Sequence, residues 1–164
     1  MWSTDGGAWL PWLGRNSNEA DMAHAELVPM GTLVAQLGDM IDVGAGPKGS
    51  RLVVDVTEVT MSSDRVNATL ATNDAADWLS MGEGGQGCLD VRLTLKTDDG
   101  AFIFVEYSGR ADMGSGLIAS APTFQTGDER YAWLNSVQAL GAGQLDQATG
   151  RLEYTMYEVK VTAD

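Results

Sequence analysis

Several residue types are scarce in this chain, and each scarcity excludes a class of protein. Cys88 is the one cysteine and His24 the one histidine, so an internal disulfide and a zinc site of the usual His/Cys type are both excluded. Only 10 of the 164 residues are Lys or Arg, against 23 Asp or Glu, which gives a net charge of −13. This balance argues against nucleic acid and against an anionic membrane surface as partners.

Targeting and cofactor signals are also missing. No run of 18 apolar residues occurs, and the first residues lack the basic and apolar regions of a secretory signal. We therefore expect a cytoplasmic protein without a membrane partner. The sequence contains no dinucleotide-binding glycine motif, no P-loop and no Asp-x-Asp-x-Asp-Gly calcium loop. We expect no cofactor and no bound metal.

What the chain does contain is glycine and short apolar segments. Its length fits one domain, and 20 glycines fall in clusters that resemble turns. Between them, apolar residues alternate with period two, which predicts eight strands: Thr32–Leu37, Leu52–Met61, Arg65–Thr72, Gly87–Thr97, Ala101–Arg110, Ile118–Thr126, Tyr131–Leu140 and Arg151–Val161. Two short helices are predicted, over Asn18–Leu27 and Asp74–Leu79, and Gly141-Ala142-Gly143 is predicted to separate two strands.

Eight closely spaced strands without crossover helices imply antiparallel pairing in a barrel or a sandwich. Closure removes exposed strand edges, so we predict an all-β protein with an antiparallel closed barrel of roughly eight strands. One hairpin can be placed in register. A three-residue loop with Gly100 in the left-handed region pairs Leu93 with Val105 and Arg92 with Glu106. This register keeps one face of the hairpin wholly apolar.

The opposite face of this hairpin carries Asp90, Arg92, Glu106 and Ser108. It is either a solvated outer face with an ordinary ion pair or the lining of the barrel mouth, and alternation does not decide between the two. If it faces inward, Arg92 can grip a carboxylate and Glu106 can carry a proton, with Asp90 orienting Arg92. The aliphatic face would then need a neighbouring subunit, which predicts a homo-oligomer.

Five segments resemble the domain-of-unknown-function 3237 family: Leu89–Ala101, Phe124–Asn135, Ile41–Gly44, Ala76–Trp78 and Tyr157–Val159. The resemblance covers about Leu27 to Val159. It implies a small antiparallel β-barrel, of the calycin or allene-oxide-cyclase kind, in a bacterial cytoplasmic protein. It also implies largely uncharacterised biochemistry. A few relatives are associated with the breakdown of lignin-derived aromatic compounds, where cofactor-free decarboxylation of phenolic acids occurs.

These features favour a cofactor-independent lyase that decarboxylates a phenolic or other aromatic acid by acid–base chemistry in the barrel cavity. Arg92, Glu106, Asp90 and Tyr154 are the candidate catalytic residues. The candidate ligand-binding residues are Trp78, Phe104, Tyr131, Trp133 and Asn135. Three alternatives stay open. One is a non-catalytic small-molecule-binding barrel, and another is an isomerase, cyclase or hydratase that uses the same cavity. The third is a structural or assembly protein with a filled barrel.

The N-terminal residues 1–26 are predicted to form an extension before a single barrel domain of residues 27–164. Trp2, Trp9 and Trp12 give this extension an aromatic cluster unlike a solvated tail. It is predicted to plug the barrel end or a groove on a partner subunit. The alternatives are a lid that covers the ligand and a disordered tail.

Overall fold

Ten β-strands and one 3-10 helix make up residues 22–163, the part of the chain that the computed structural model describes. The strands are β1 (Ala23–Gly46), β2 (Gly49–Ser62), β3 (Asn67–Leu70), β4 (Ala76–Asp77), β5 (Ser80–Met81), β6 (Gln86–Thr97), β7 (Phe102–Asp112), β8 (Leu117–Gln125), β9 (Ala139–Asp146) and β10 (Arg151–Ala163). The 3-10 helix (Glu129–Ser136) lies between β8 and β9. Within these residues, no helix has the length and apolarity to cross a membrane.

The strands form a closed antiparallel ring, as predicted. The order is β1-β10-β9-β8-β7-β6-β3-β2, and β2 pairs with β1 to close it. Three short strands share the wall between β2 and β6. β3 pairs with β2 and β6 at one end of these strands. β4 pairs with the same two strands further along, and β5 pairs with them closest to the other end. The short β4 carries Asp77.

The β6–β7 hairpin has the predicted register. Leu93 lies opposite Val105 and Arg92 opposite Glu106. The Thr97 N–H donates to the Ala101 carbonyl at 2.9 Å, and Gly100 has a φ of +93°, which favours glycine at this turn. The turn and the apolar alternation therefore specify the same pairing.

The aliphatic face of the hairpin fills the barrel. Leu95, Ile103 and Val105 have no exposed surface, and Leu93 is only 3% exposed. These side chains meet residues from the other strands, such as Leu33, Met61 and Met156, in one core. The expectation that a neighbouring subunit must cover this face is wrong, because the barrel itself buries it. The argument for a homo-oligomer from this face no longer applies.

Two local predictions are wrong, one just after β8 and one at β4. The strand predicted over Tyr131–Leu140 does not begin at Tyr131, because residues 129–136 form the 3-10 helix. Asp128 explains the change, because its side chain caps the helix by accepting a hydrogen bond from the Arg130 N–H at 3.0 Å. The predicted helix over Asp74–Leu79 is also not found. There the chain forms β4, because its backbone pairs with β2 and β6.

The segment Gly141-Ala142-Gly143 lies inside β9 rather than in a turn. Gly143 pairs with Tyr154 of β10 and Gly141 with Met156. A Cβ atom on Gly143 would come within 2.5 Å of the Tyr154 ring. These glycines are therefore required by packing, because they leave room for an aromatic ring inside the barrel.

The first strand starts earlier than predicted. Ala23–Leu27 belongs to β1 and pairs with the end of β10, so the predicted helix over Asn18–Leu27 is wrong from Ala23 onward. Pairing with β10 provides the hydrogen bonds that a helix would otherwise have made internally. The tryptophans predicted to form an aromatic cluster, Trp2, Trp9 and Trp12, lie outside the described residues.

The contact between Gly143 and Tyr154 gives a stability prediction. We expect Gly143→Ala to lower the free energy of unfolding by about 1–3 kcal/mol, because the added methyl group overpacks the core against the Tyr154 ring. Urea denaturation of the purified protein measures this change.

Gly46→Ala is the matched control, since no atom lies within 4 Å of a Cβ built there. We expect it to change stability by less than about 0.5 kcal/mol. The same Gly143→Ala change in a Tyr154→Leu background should cost less than in the native chain. Equal costs in the two backgrounds would show that the ring is not the cause.

Candidate functional site

The polar face of the hairpin lies on the outside of the barrel. The Arg92 side chain is 49% exposed, and its Nη2 lies 3.2 Å from Asp90 Oδ1. Its Nε lies 4.0 Å from Glu106 Oε2, and the Glu106 side chain is 56% exposed. The inward placement on which the catalytic roles of Arg92, Glu106 and Asp90 depended is therefore wrong. The reason is that the alternating aliphatic face occupies the interior.

Two of the predicted ligand-binding aromatics also lie on the outer surface. The Arg92 guanidinium carbon lies 5.5 Å from the centroid of the Trp78 ring, so these two predicted residues do meet, but outside the barrel. Phe104 is half-buried on the outer face of β7, opposite Thr94 and Gln125. Neither ring lines an internal cavity.

The remaining three predicted ligand-binding residues belong to the 3-10 helix and have structural partners. The Tyr131 hydroxyl donates to Asp99 Oδ1 at 3.0 Å, and the Arg65 guanidinium stacks on the Trp133 ring at 3.4 Å. The Asn135 side chain accepts from the Thr126 N–H at 2.8 Å and donates to the Thr126 carbonyl at 2.9 Å. These contacts attach the helix to the barrel. Asn135 also lines an open depression of about 390 Å³ on the outer surface, together with the predicted site residues Phe104 and Glu106.

Tyr154 is the one predicted catalytic residue that faces the interior, and it is 2% exposed. It lies beside an apolar chamber of about 160 Å³ at the end of the barrel near the β1–β2 hairpin. The chamber walls are almost entirely aliphatic, and its polar side chains are Asp77 and Tyr107. The other lining residues are Ala35, Leu37, Met40, Leu52, Val54, Val56, Leu79, Leu89, Val91, Ala111, Met113, Ile118, Leu145 and Leu152.

Backbone pairing positions Asp77 and Tyr107 in one row. Asp77 of β4 and Tyr107 of β7 are both partners of Val91, which lies between them on β6. Neighbouring strands are about 4.8 Å apart, so the two residues are separated by about 10 Å across the sheet. Both side chains line the chamber, and the Val91 side chain forms the surface between them. A small ligand above Val91 would contact both groups.

The Asp77 carboxyl is oriented by the backbone of β6. Its Oδ1 accepts a hydrogen bond from the Asp90 N–H at 3.0 Å. Within residues 22–163, the carboxyl makes no second hydrogen bond to protein. Burial raises its pKa to about 6, and the negative charge of Asp90 adds to this increase. The Asp90 N–H and the charge of Arg51 oppose the increase. A carboxyl with this pKa exchanges protons near neutral pH.

Tyr107 is a neutral hydroxyl at the same site. Burial raises its pKa well above 10, and the nearby Tyr154 and Asp77 raise it further. The Tyr107 and Tyr154 rings pack edge to face, with centroids 6.0 Å apart and an interplanar angle of 75°. Tyr107 thus stays protonated and can donate a hydrogen bond in the chamber.

No lysine or arginine within residues 22–163 lines the chamber. Arg51 is the basic residue that influences the pKa of Asp77, and its guanidinium donates to the carbonyl of Trp78. A carboxylate ligand would therefore meet no cationic partner inside the chamber and would be repelled by an ionised Asp77. This electrostatic environment disfavours an anionic ligand, and the aliphatic walls disfavour an unpaired charge of either sign.

Sequence reasoning missed both chamber residues as site candidates. Asp77 was grouped with Ala76 and Trp78 only as part of a family motif, and Tyr107 was not among the candidate residues. A signal was present for Tyr107, since it continues the apolar face of Ile103 and Val105. A tyrosine on a core-facing strand position brings a hydroxyl that needs a partner. No comparable signal exists for Asp77, because its strand has two residues.

Comparisons with known proteins agree with this fold. The family model described as "Protein of unknown function (DUF3237)" matches residues 25–159, so the chain belongs to that family. A comparison with curated proteins finds no significant match.

Solved structures of similar fold come from several organisms. A β-barrel-like protein of Acinetobacter baumannii has a TM-score of 0.75 at 22% identity, covering 84% of this chain and 97% of its own. A conserved protein of unknown function from Rhodopseudomonas palustris has a TM-score of 0.75 at 20% identity, covering 84% and 99%. An enzyme from Penicillium herquei has a TM-score of 0.65 at 20% identity, covering 89% and 100%. At these identities the similarity establishes the fold alone.

The raised pKa of Asp77 gives a prediction about pH and stability. Its pKa is about 6 in the folded protein and 3.8 in its unperturbed state. Folding therefore opposes its ionisation, and the stability contributed by this group falls as the pH rises from about 4 to 6. We expect Asp77→Asn to be more stable than the native chain at pH 8 by up to about 3 kcal/mol. This advantage should disappear below pH 4, as measured by urea denaturation across the pH range.

Asp55→Asn is the control for this experiment, because Asp55 lies on β2 and is exposed. Its stability relative to the native chain should change little with pH. If the stability difference between Asp77→Asn and the native chain also did not change with pH, Asp77 would ionise as a solvated carboxyl does.

Proposed function

We propose that this protein is a cofactor-independent enzyme that transfers a proton on a small, uncharged, cyclic carbonyl compound. The observation that carries the proposal is the pairing of Asp77, whose pKa is about 6, with the neutral Tyr107 hydroxyl in one apolar chamber. A base with a pKa near the working pH and a hydrogen-bond donor for a developing negative charge are the two groups that enolisation requires. The reaction class is that of an isomerase, one of the alternatives open from the sequence.

The proposed reaction starts with ionised Asp77. Its carboxylate removes a proton from the carbon next to the substrate carbonyl, and the electrons of the broken C–H bond move into an enolate. The Tyr107 hydroxyl donates a hydrogen bond to the carbonyl oxygen as its negative charge increases. The carboxyl then returns the proton to the same carbon or to a conjugated carbon. Return to the conjugated carbon shifts the double bond, and no redox change occurs.

The chamber sets the size and polarity of the substrate. Its volume of about 160 Å³ is close to that of an engineered apolar cavity known to bind benzene, so a single six-membered ring fits. Its aliphatic walls favour an apolar body and exclude water, which strengthens the interactions of Asp77 and Tyr107 with the ligand. Met40 is both a lining residue and 61% exposed, which marks the entrance beside the β1–β2 hairpin.

Decarboxylation of an aromatic acid is less well supported. That hypothesis assigned the substrate carboxylate to Arg92 and the proton to Glu106, and both side chains are on the outer face of the barrel. A chamber lined by Asp77 and by no basic residue of the described chain does not favour an anionic substrate. The activity itself stays a prediction, so hydroxycinnamates belong in the assay panel.

A direct test measures exchange of carbon-bound hydrogen in heavy water without added cofactor. Cyclic ketones and enones with one six-membered ring are incubated with the protein, and deuterium incorporation next to the carbonyl is followed by NMR. We expect exchange above the buffer rate. Asp77→Asn and Tyr107→Phe should each lower the rate by about 100-fold or more, the range for loss of a general base or an oxyanion donor.

Two outer-face variants, Arg92→Ala and Glu106→Gln, serve as matched controls and should keep the native rate. Buffer-level exchange with every ketone would contradict the proposal. Saturable binding without exchange would instead support the alternative of a ligand-binding barrel. Carbon dioxide release from a hydroxycinnamate would support the lyase.

A further inference from the structure

Two hydroxyl groups behind the chamber are buried without a partner. Neither Ser120 Oγ nor the Tyr154 hydroxyl has a hydrogen-bond partner within residues 22–163. Ser120 is 4% exposed and Tyr154 is 2% exposed. Alanine and phenylalanine would fill the same space without leaving a polar group unsatisfied in the core. The presence of both hydroxyls therefore requires an explanation other than packing.

Packing brings these two side chains together and next to the proposed site. Ser120 and Tyr154 meet over Gly141, because a Cβ atom on that glycine would collide with Ser120 Oγ and lie 2.9 Å from Cδ1 of the Tyr154 ring. On its other side, the Tyr154 ring packs edge to face against Tyr107. Tyr154 thus lies between Ser120 and the residue that faces the chamber.

The three hydroxyls influence one another. Burial raises the pKa of Tyr154, while the neighbouring hydroxyls of Tyr107 and Ser120 act in the opposite direction. They are therefore close enough to Tyr154 to affect its ionisation although the hydrogen-bond geometry is not complete.

We propose that Ser120 and Tyr154 are positioning residues, which orient the Tyr107 hydroxyl toward a carbonyl oxygen in the chamber through a directional chain of hydrogen bonds. In this chain Ser120 donates to Tyr154, Tyr154 donates to Tyr107, and Tyr107 donates to the ligand. The inference rests on the proposed function, since it assumes that the Tyr107 proton points at a ligand.

The direction of the hydrogen-bond chain follows from which hydroxyl can donate and which can accept. When Tyr107 donates its proton in a hydrogen bond to the ligand, the Tyr107 oxygen remains free to accept a hydrogen bond from the Tyr154 hydroxyl. The Tyr154 oxygen can then accept a hydrogen bond from Ser120. Without a ligand, the Tyr107 hydroxyl acts as a donor toward Tyr154, which is why, beyond the effect of burial, Tyr154 raises the pKa of Tyr107. A ligand carbonyl that takes the Tyr107 proton reverses this interaction, and hydrogen bonds then arranged head to tail polarise one another and make the Tyr107 proton a better donor. Neither Ser120 nor Tyr154 lines the chamber, so both would act through Tyr107.

The experiment uses 2-cyclohexenone labelled with carbon-13 at the carbonyl as a probe of one six-membered ring. Infrared spectroscopy measures the carbonyl stretching frequency of the bound probe, which falls as the hydrogen bond to its oxygen strengthens. We expect the lowest frequency in the native protein and the highest in Tyr107→Phe. Tyr154→Phe and Ser120→Ala should lie between them, and each should weaken binding by roughly 2–10-fold.

Matched controls come from the outer surface. Tyr131 donates to Asp99 outside the barrel, and Ser108 is exposed on the outer face. Tyr131→Phe and Ser108→Ala should leave both the frequency and the affinity at the native values. Because the hydroxyls of Tyr154 and Ser120 lack partners, their removal should not lower the melting temperature. If Tyr154→Phe does not fold, Ser120→Ala carries the test.

The outcomes separate this inference from the proposed function. If the carbonyl frequency of the bound probe is native in Ser120→Ala and Tyr154→Phe but raised in Tyr107→Phe, the proposed hydrogen-bond chain is wrong. The proposed function would then remain intact. A native frequency in Tyr107→Phe, or no binding of the probe to the native protein, would overturn both. A graded increase from Ser120→Ala through Tyr154→Phe to Tyr107→Phe would support the chain.

Discussion

Burial of the alternating apolar face of β6 and β7 is the constraint on which the site depends. Because Leu93, Leu95 and Val105 fill the barrel, the intervening charged side chains must face solvent. The same alternation of side chains places Val91 inside the barrel and its two cross-strand partners, Asp77 and Tyr107, at the chamber wall. A slip of one residue would exchange the two faces and remove the site. Burial of this face therefore determines both the barrel core and the position of the candidate site.

The chamber combines one ionisable carboxyl with surroundings that oppose its charge. A wall of aliphatic side chains raises the pKa of Asp77, while one backbone N–H fixes the orientation of its carboxyl group. Such a group destabilises the fold at neutral pH, and that cost is typical of residues retained for chemistry rather than for packing. Burial also keeps Tyr107 protonated, so the site offers a base and a donor together.

Sequence reasoning predicted the parts of the fold that depend on local patterns. The β6–β7 register followed from an alternating run and a glycine turn, and ring closure followed from the need to remove exposed strand edges. It could not place Asp77, because a two-residue strand has no periodicity and is held only by pairing with β2 and β6. The helix at residues 129–136 was missed because a side-chain cap at Asp128 outweighed the aromatic alternation. Tyr154 does lie in the interior, as a role in the barrel cavity requires. Its neighbours Gly141 and Gly143 were assigned to a turn, because their role in packing depends on the opposing strand.

The central claim is that the Asp77 carboxyl is held in an apolar chamber where it exchanges protons near neutral pH. The most direct measurement is an NMR titration of the protein with carbon-13-labelled aspartate, in which the Asp77 carboxyl signal is assigned by its loss in Asp77→Asn. We expect that signal to titrate with a pKa of about 6. A midpoint near the ordinary value of 3.8 would show that the carboxyl is solvated, and it would contradict the account.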